Sequence, residues 1–154
     1  MTRILLDKEA NTEVKDKTHK FTPLHHVCKR KLETNENNTV RRFYECLIHL
    51  INSQADVNAK DGQNNSPIIY AAENSLQSFK YLIEHNADVN ARNEEGKTLL
   101  HIAAEWGQTE IARYLIEEKI GDINARDNAK DTPLHYSGIE TCEMLISAGI
   151  VHLT

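Results

Sequence analysis

The chain has 154 residues, enough for one domain, with 40% hydrophobic residues, 6% aromatic residues and a formal net charge of −5. That acidic balance argues against a generic phosphate-backbone binder, which presents a strongly basic face, so no nucleic-acid partner is expected. No apolar run approaches the roughly 20 residues of a membrane-spanning helix, and Met1–Ala10 lacks the apolar core and cleavage site of a signal peptide, so no membrane partner is expected either.

Taken in chain order, Ile4-Leu5-Leu6 followed by Asp7-Lys8-Glu9-Ala10 reads as the tail of a helix whose partner is missing. The segment ANTEVKD at Ala10–Asp16 then returns as ADVNAKD at Ala55–Asp61, ADVNARN at Ala87–Asn93 and GDINARD at Gly121–Asp127. A second signature alternates with it: TPLH at Thr22–His25, SPII at Ser66–Ile69, TLLH at Thr98–His101 and TPLH at Thr132–His135. Successive starts of this second signature lie 44, 32 and 34 residues apart. Two signatures alternating in one phase define a repeat array. Its parts are a partial repeat (1–16), repeat one (17–61) with a loop insertion near 29–39, repeat two (62–93), repeat three (94–127) and a truncated C-terminal capping repeat (128–154).

The TPLH element predicts a helix start. Proline at the first helical position has a preset φ and lacks only a donor that the helix does not use there. The hydroxyls of Thr22, Ser66 and Thr132 are placed to accept from an early helical N–H as N-caps. Repeat two has Ile69 where the other copies have histidine, and repeat three has Leu99 in place of proline.

Second helices follow from apolar rows three and four residues apart: Phe43, Leu47, Ile48, Leu50 and Ile51; Phe79, Leu82 and Ile83; Ile111, Tyr114, Leu115 and Ile116; Met144, Leu145 and Ile146. One repeat cannot bury such a row alone, so neighbouring repeats must cover it. Asn86 and Gly149 are expected to end their helices in the left-handed conformation. Gly96, Asn64 and Lys130 are expected at turn tips with positive φ, with some strain at Lys130.

The insertion in repeat one, Lys29 to about Thr39, is rich in Asn, Glu and Lys and reads as a flexible loop. Its basic ends, Lys29-Arg30-Lys31 and Arg41-Arg42, read mainly as cations closing a helix, with a weak nuclear-import signal or an acidic partner as alternatives. Glu140, Glu143 and Ser147 interrupt the last apolar row, as a terminal unit with one solvated face requires. Cys28, Cys46 and Cys142 are an odd number without metal-type spacing, which fits buried small hydrophobes in a reducing, cytoplasmic setting, with a nuclear location also open.

These signatures resemble ankyrin repeats over nearly the whole chain. Asn93–Asp127 is the best copy, with Gly96, Thr98, Leu100, His101, Ala103, Ala104, Gly107, Glu110, Ile111, Leu115 and Ile116 where the family pattern has them. The resemblance implies an all-α fold with short β-hairpin fingers, an ankyrin-repeat α-solenoid of stacked helix-turn-helix units. It also implies structural roles for His25, His101 and His135, each bonding to the threonine side and to neighbouring backbone.

The resemblance locates binding on a concave face made of finger tips and exposed first-helix positions. In repeat three these are Glu94, Glu95, Lys97, Glu105 and Trp106. Repeat two contributes Gln63, Asn65, Glu73 and Asn74, repeat one Lys29 and Arg30, and repeat four Asn128 and Asp131. Trp106, the only tryptophan, is the chief anchor candidate. Lys15, Lys60, Arg92 and Arg126 recur at one slot and read as mainly structural.

No Gly-rich phosphate loop, metal-spaced Cys/His cluster or nucleophile elbow is present, so no enzyme, cofactor or metal is expected. The expected function is a non-catalytic, monomeric module that binds a protein partner. Alternatives are a small viral or intracellular-microbe regulator resembling the ankyrin inhibitors of Rel-type transcription factors, or a spacer in a larger scaffold protein. The family resemblance further marks Asn58 and Asn90 as possible substrates of an asparaginyl hydroxylase, with Asn124 at a poorer spacing.

Overall fold

In a computed structural model of the chain, residues 11–30 and 37–152 are described, without the side chains of 37–40 and 150–152. The expected helix tail at Ile4–Ala10, and Lys31 with most of the inserted segment, lie outside the described residues. Eight helices occur among those described: α1 (Pro23–Lys29), α2 (Asn37–Asn52), α3 (Pro67–Asn74), α4 (Leu76–Glu84), α5 (Leu99–Glu105), α6 (Thr109–Glu117), α7 (Pro133–Tyr136) and α8 (Ile139–His152). Part of the expected loop is therefore helical, because Asn37–Thr39 form the first turn of α2.

The chain forms two compact units, Met1–Asp88 and Val89–Thr154. Within the first, α1 packs on α2 and α3, and α4 packs on α3 and α2. Within the second, α5 packs on α6 and α7, and α8 packs on α6 and α7. First helices thus meet first helices and second helices meet second helices, giving two layers in each unit.

Three of the four first helices, α1, α5 and α7, are fastened at their start by a histidine. The Thr22 N–H donates to His25 Nδ1 at 3.2 Å and the Thr22 hydroxyl meets the same nitrogen at 2.8 Å, while His25 Nε2 lies 3.1 Å from the Asn65 carbonyl. A carbonyl only accepts, so Nε2 carries the ring proton and Nδ1 is the acceptor. His101 repeats the arrangement, with the Thr98 N–H at 3.2 Å and the Asp131 carbonyl at 3.0 Å. His135 makes the local half, with the Thr132 N–H at 3.1 Å and the hydroxyl at 2.9 Å. Burial holds His25 and His101 below their ordinary pKa, against the opposing pull of those carbonyls, which favours this neutral form.

Repeat two lacks the tie. Ile69 is buried in the histidine slot, and the buried Ser66 hydroxyl has no hydrogen-bond partner, so the cap expected at Ser66 is not formed. The helix still starts there because Pro67 presets its first dihedral.

The cores are built from the apolar rows. Leu47, Leu50, Phe79 and Leu82 are buried in the first unit, and Ile111, Leu115 and Leu145 in the second. Each such side chain contributes roughly 1.5–3 kcal/mol of burial free energy before entropy is subtracted. Ala71-Ala72 and Ala103-Ala104 are buried small pairs that let helices approach closely. Ile146 departs from the expectation, being 46% exposed.

Three second helices end through a left-handed residue, Gln54, Asn86 or Lys119, with φ of 63°, 67° and 55°. The next N–H, from Ala55, Ala87 or Ile120, returns to the carbonyl of Leu50, Leu82 or Leu115 at 3.0, 2.9 and 2.8 Å. Asn86 fulfils its expectation; Gln54 and Lys119 do so without the usual residue type. Gly149 does not end a helix but lies inside α8, which runs to His152. Asp56 and Asp122 accept the N–H groups of Asn58 and Asn124 at 2.9 Å each and start the next turn.

The finger tips carry positive φ at Asn64 (62°), Gly96 (76°) and Lys130 (69°), as expected, and also at Lys20 (60°). Only one isolated bridge, Arg92 with Thr98, occurs among the described residues. The fingers are tight turns with almost no strand pairing, on an all-α arrangement of helices. Two backbone bonds close each turn: Asp61 N–H to Asn65 and Asn64 N–H to Asp61 at 3.0 and 3.2 Å, Asn93 to Lys97 and Gly96 to Asn93 at 3.1 and 2.9 Å, and Asp127 to Asp131 and Lys130 to Asp127 at 3.0 Å each.

Candidate protein-interaction surface

The fingers are stiffened from within. Asp61 Oδ1 accepts the N–H groups of Gln63 and Asn65 at 2.8 and 2.9 Å, and its Oδ2 accepts the Tyr70 hydroxyl at 2.6 Å. Asp127 does the same for Ala129 and Asp131, both at 2.9 Å, and for the Tyr136 hydroxyl at 2.7 Å. That bond holds the Asp127 carboxyl low and, together with burial, pushes the Tyr136 phenol up to about 12. Sequence reasoning passed over Tyr70 and Tyr136; their signal was an aromatic residue placed alike after Ser66 and Thr132.

The basic row links one finger to the next. Lys15 Nζ donates to the Lys60 carbonyl at 2.7 Å, and Arg92 Nη1 donates to the Gly96 and Arg126 carbonyls at 2.7 and 3.0 Å. These two cations are structural ties.

In the first unit, Lys29 and Arg30 are exposed at the end of α1, with Lys29 Nζ 4.6 Å from the Phe21 ring centroid and the Arg30 guanidinium 4.6 Å from that of Phe43. Asn74 Nδ2 donates to the Tyr70 carbonyl at 2.8 Å and to the Lys29 carbonyl at 3.3 Å, which brings these candidates together. Glu73 and Asn74 are half-buried and Gln63 is exposed at its tip. Asn65 is buried, contrary to expectation, because its amide donates to the Tyr70 hydroxyl at 3.2 Å and its carbonyl receives His25.

In the second unit, Trp106 caps α5 and is 54% exposed; Glu105 just before it, and Glu94 and Glu95 on the finger that precedes α5, are exposed as well. Lys97 is buried, also contrary to expectation. Its ammonium lies 2.7 Å from Glu95, 2.9 Å from Glu105 and 4.4 Å from the Tyr136 ring centroid. Burial alone depresses its pKa, but hydrogen bonds and charges from both carboxylates outweigh this and raise it. Asn128 is exposed yet bonded across the fingers, its N–H to the Glu95 carbonyl at 3.0 Å and its amide to the Glu94 carbonyl at 3.1 Å. Asp131 is half-buried and its carbonyl receives His101.

Asn58 is half-buried with its amide donating to the Asn86 carbonyl at 3.0 Å and its side-chain oxygen accepting the Asp88 N–H at 2.8 Å; Asn90 is exposed. Cys28 is buried and burial pushes its thiol up to about 12. Among the described residues no group of three or more His, Cys, Asp or Glu is placed to hold a metal ion, and no helix is long and apolar enough to cross a membrane.

A family model described as ankyrin repeats (3 copies) matches residues 1–93, 36–127 and 91–153, so the chain belongs to the ankyrin-repeat family and to its all-α fold class. It is 37% identical over 67 residues, 43% of its length, to an ankyrin repeat protein of Rickettsia bellii, of which it covers 40%. It is 31% identical over 121 residues, 76% of its length, to one of Fowlpox virus, covering 15% of that protein. To alpha-latrocrustotoxin-Lt1a of Latrodectus tredecimguttatus it is 39% identical over 111 residues, 68% of its length and 8% of the toxin. The chain thus spans less than half of each of these relatives. Ankyrin repeats are in general protein–protein interaction modules without catalytic activity.

Proposed function

We propose that this chain is a non-catalytic module that binds a protein partner through the finger tips and first-helix ends of its repeats. The observation that carries the reading is Trp106. A large aromatic residue follows the buried Ala103-Ala104 pair on a fixed helix end yet keeps 54% of its surface in solvent. Exposed aromatic side chains on rigid supports are frequent anchors of protein interfaces. Arg30 holds the matching position in repeat one and is also exposed.

The test is affinity capture of partners with Trp106→Ala and Arg30→Ala, each checked for native helicity by circular dichroism. Glu105→Lys is avoided because it would place a second ammonium against Lys97. Loss of a captured protein in either variant is expected; unchanged capture by both would remove this surface from consideration.

A second reading, modification by an asparaginyl hydroxylase, is favoured at Asn90 over Asn58 by its greater exposure. Mass analysis after incubation with such an enzyme tests it, and an unchanged mass would end it.

A further inference from the structure

We infer that copies of this chain stack head to tail, repeat four of one copy seating on the first finger and α1 of the next. The inference stands apart from the Trp106 surface and departs from the expected monomer.

Its basis is a set of contacts that inner repeats complete and the two end repeats leave open. The fingers before α3 and α7 each offer one carbonyl to the histidine of the preceding repeat. The Asn65 carbonyl accepts the Asp61 N–H at 3.0 Å and His25 Nε2 at 3.1 Å, and the Asp131 carbonyl accepts the Asp127 N–H and His101 Nε2, both at 3.0 Å. The Phe21 carbonyl, at the same position before α1, accepts the Asp16 N–H at 2.9 Å and, among the described residues, nothing else. At the other end, His135 Nδ1 accepts the Thr132 N–H, so Nε2 carries the ring proton. That proton has no acceptor among the described residues, Asp131 Oδ1 lying 3.9 Å away. An open acceptor and an open donor thus stand at opposite ends.

The apolar slots repeat the pattern. Leu24 and Leu100 are buried on α1 and α5, each of which is packed by the first helix that follows it. Leu134, in the same slot of α7, is 42% exposed. Ala59 and Ala125, two residues before Asp61 and Asp127, are buried, whereas Val14, two before Asp16, is 58% exposed. Each end therefore shows water an apolar side chain in a slot that inner repeats bury, and a further repeat of the same build is what covers such a slot.

The first finger has the build of a receiving face. Asp16 Oδ1 accepts the N–H groups of Thr18 and His19 at 3.1 and 2.7 Å, and its Oδ2 meets His26 Nε2 at 2.9 Å, as Asp61 and Asp127 hold Tyr70 and Tyr136. Those tyrosine rings stand edge to face with His25 and His101, 6.1 and 6.0 Å between centroids. The exposed His26 ring is thus fixed where it would meet His135 of another copy. A cation tie is open too: Lys15 and Arg92 reach carbonyls on the next finger, while the exposed Arg126 reaches none among the described residues. Every copy carries both end faces, so a second copy supplies all of the missing partners at once. Such a contact is heterologous and leaves one free face at each end, so it propagates.

Sedimentation velocity of the whole chain from about 1 to about 200 μM is the test, and the weight-average coefficient is expected to rise with concentration. Leu134→Glu and Val14→Asp each block one end at an exposed side chain, with native helicity checked by circular dichroism. Alone, each is expected to self-associate at least about tenfold more weakly than the unaltered chain. Mixed, the two retain one complementary free face each and should form a 1:1 dimer that grows no further. Trp106→Ala should associate like the unaltered chain. A chain that stays monomeric throughout would overturn the inference, by giving the end faces to some other occupant. Either blocked variant associating alone as strongly as the unaltered chain would overturn it too, since like faces would then be pairing. Absence of a complex in the mixture, or a loss in Trp106→Ala equal to that in Leu134→Glu, would count against it in the same way.

Discussion

Lys97 and Lys29 bring their ammonium groups over the same tyrosine position from opposite ends of their first helices, 4.4 Å from the Tyr136 centroid and 5.3 Å from that of Tyr70. Lys97 precedes the helix-starting Thr98 as Phe21 precedes Thr22, and Lys29 ends its first helix where Glu105 ends another. The two positions have thus exchanged partners, a cation–π contact in repeat one and an ion pair in repeat three.

Replacing Lys97 with methionine leaves Glu95 and Glu105 without their shared cation. Since both carboxylates reach water, the cost is set below that of a fully buried pair, at about 1–2 kcal/mol. Urea unfolding measures it, and adding Glu105→Gln should recover part of the loss. An unchanged midpoint in Lys97→Met would show that the ammonium is not held as described.

Ser66 and Thr98 occupy one slot and should respond differently. Thr98→Ala removes a hydroxyl bonded to His101 Nδ1 at 2.8 Å and is expected to cost about 1–2 kcal/mol. Ser66→Ala removes a buried hydroxyl that has no partner and should be neutral within about 0.5 kcal/mol or slightly stabilising. Paired denaturation curves decide between these outcomes and equal losses.

Acid should loosen the protein through His25 and His101. Burial holds both below the ordinary value of 6.5, so between their folded values and 6.5 the native state binds fewer protons than the unfolded chain. Stability is then full above 6.5 and falls as pH drops below it. Protonated Nδ1 would also turn a donor toward the Thr22 or Thr98 N–H. Urea midpoints between about pH 8 and about pH 5 should decline, and the decline should be shallower in His101→Asn. A flat profile would contradict neutral burial.

Gly96 and Lys130 share the finger-tip conformation but not its ease. A Cβ on Gly96 would lie 2.4 Å from Asn128 Oδ1 and 3.1 Å from its backbone nitrogen, besides bearing φ of 76°. Gly96→Ala is expected to lose about 1–2 kcal/mol or more, whereas Lys130→Gly should gain about 0.5–1 kcal/mol by relieving a left-handed lysine. Thermal midpoints moving the same way in both would refute the assignment.

Native Cys28 should resist a thiol reagent at about pH 8, since its thiol is buried and pushed up to about 12. Cys46 and Cys142 are half-exposed and should react first. Peptide mapping of the modified chain identifies the sites, and early labelling of Cys28 would contradict its burial.

The amino-acid sequence alone determined the repeat phase, the helix starts at Thr22, Thr98 and Thr132, the tips at Asn64, Gly96 and Lys130, and the rows that became the core. Those features are local or periodic, set by backbone dihedrals and by the spacing of apolar side chains along a helix. Gln54 and Lys119 ended helices against their residue preference because Ala55 and Ile120 return to carbonyls within the packed turn. Gly149, expected to end its helix, lies inside α8. Only tertiary structure decided that Lys97 and Asn65 are buried among binding candidates while Trp106 stays exposed. Each depends on groups remote in sequence, Tyr136 over Lys97 and His25 against Asn65, and the depth of a polar side chain is set by what folds over it.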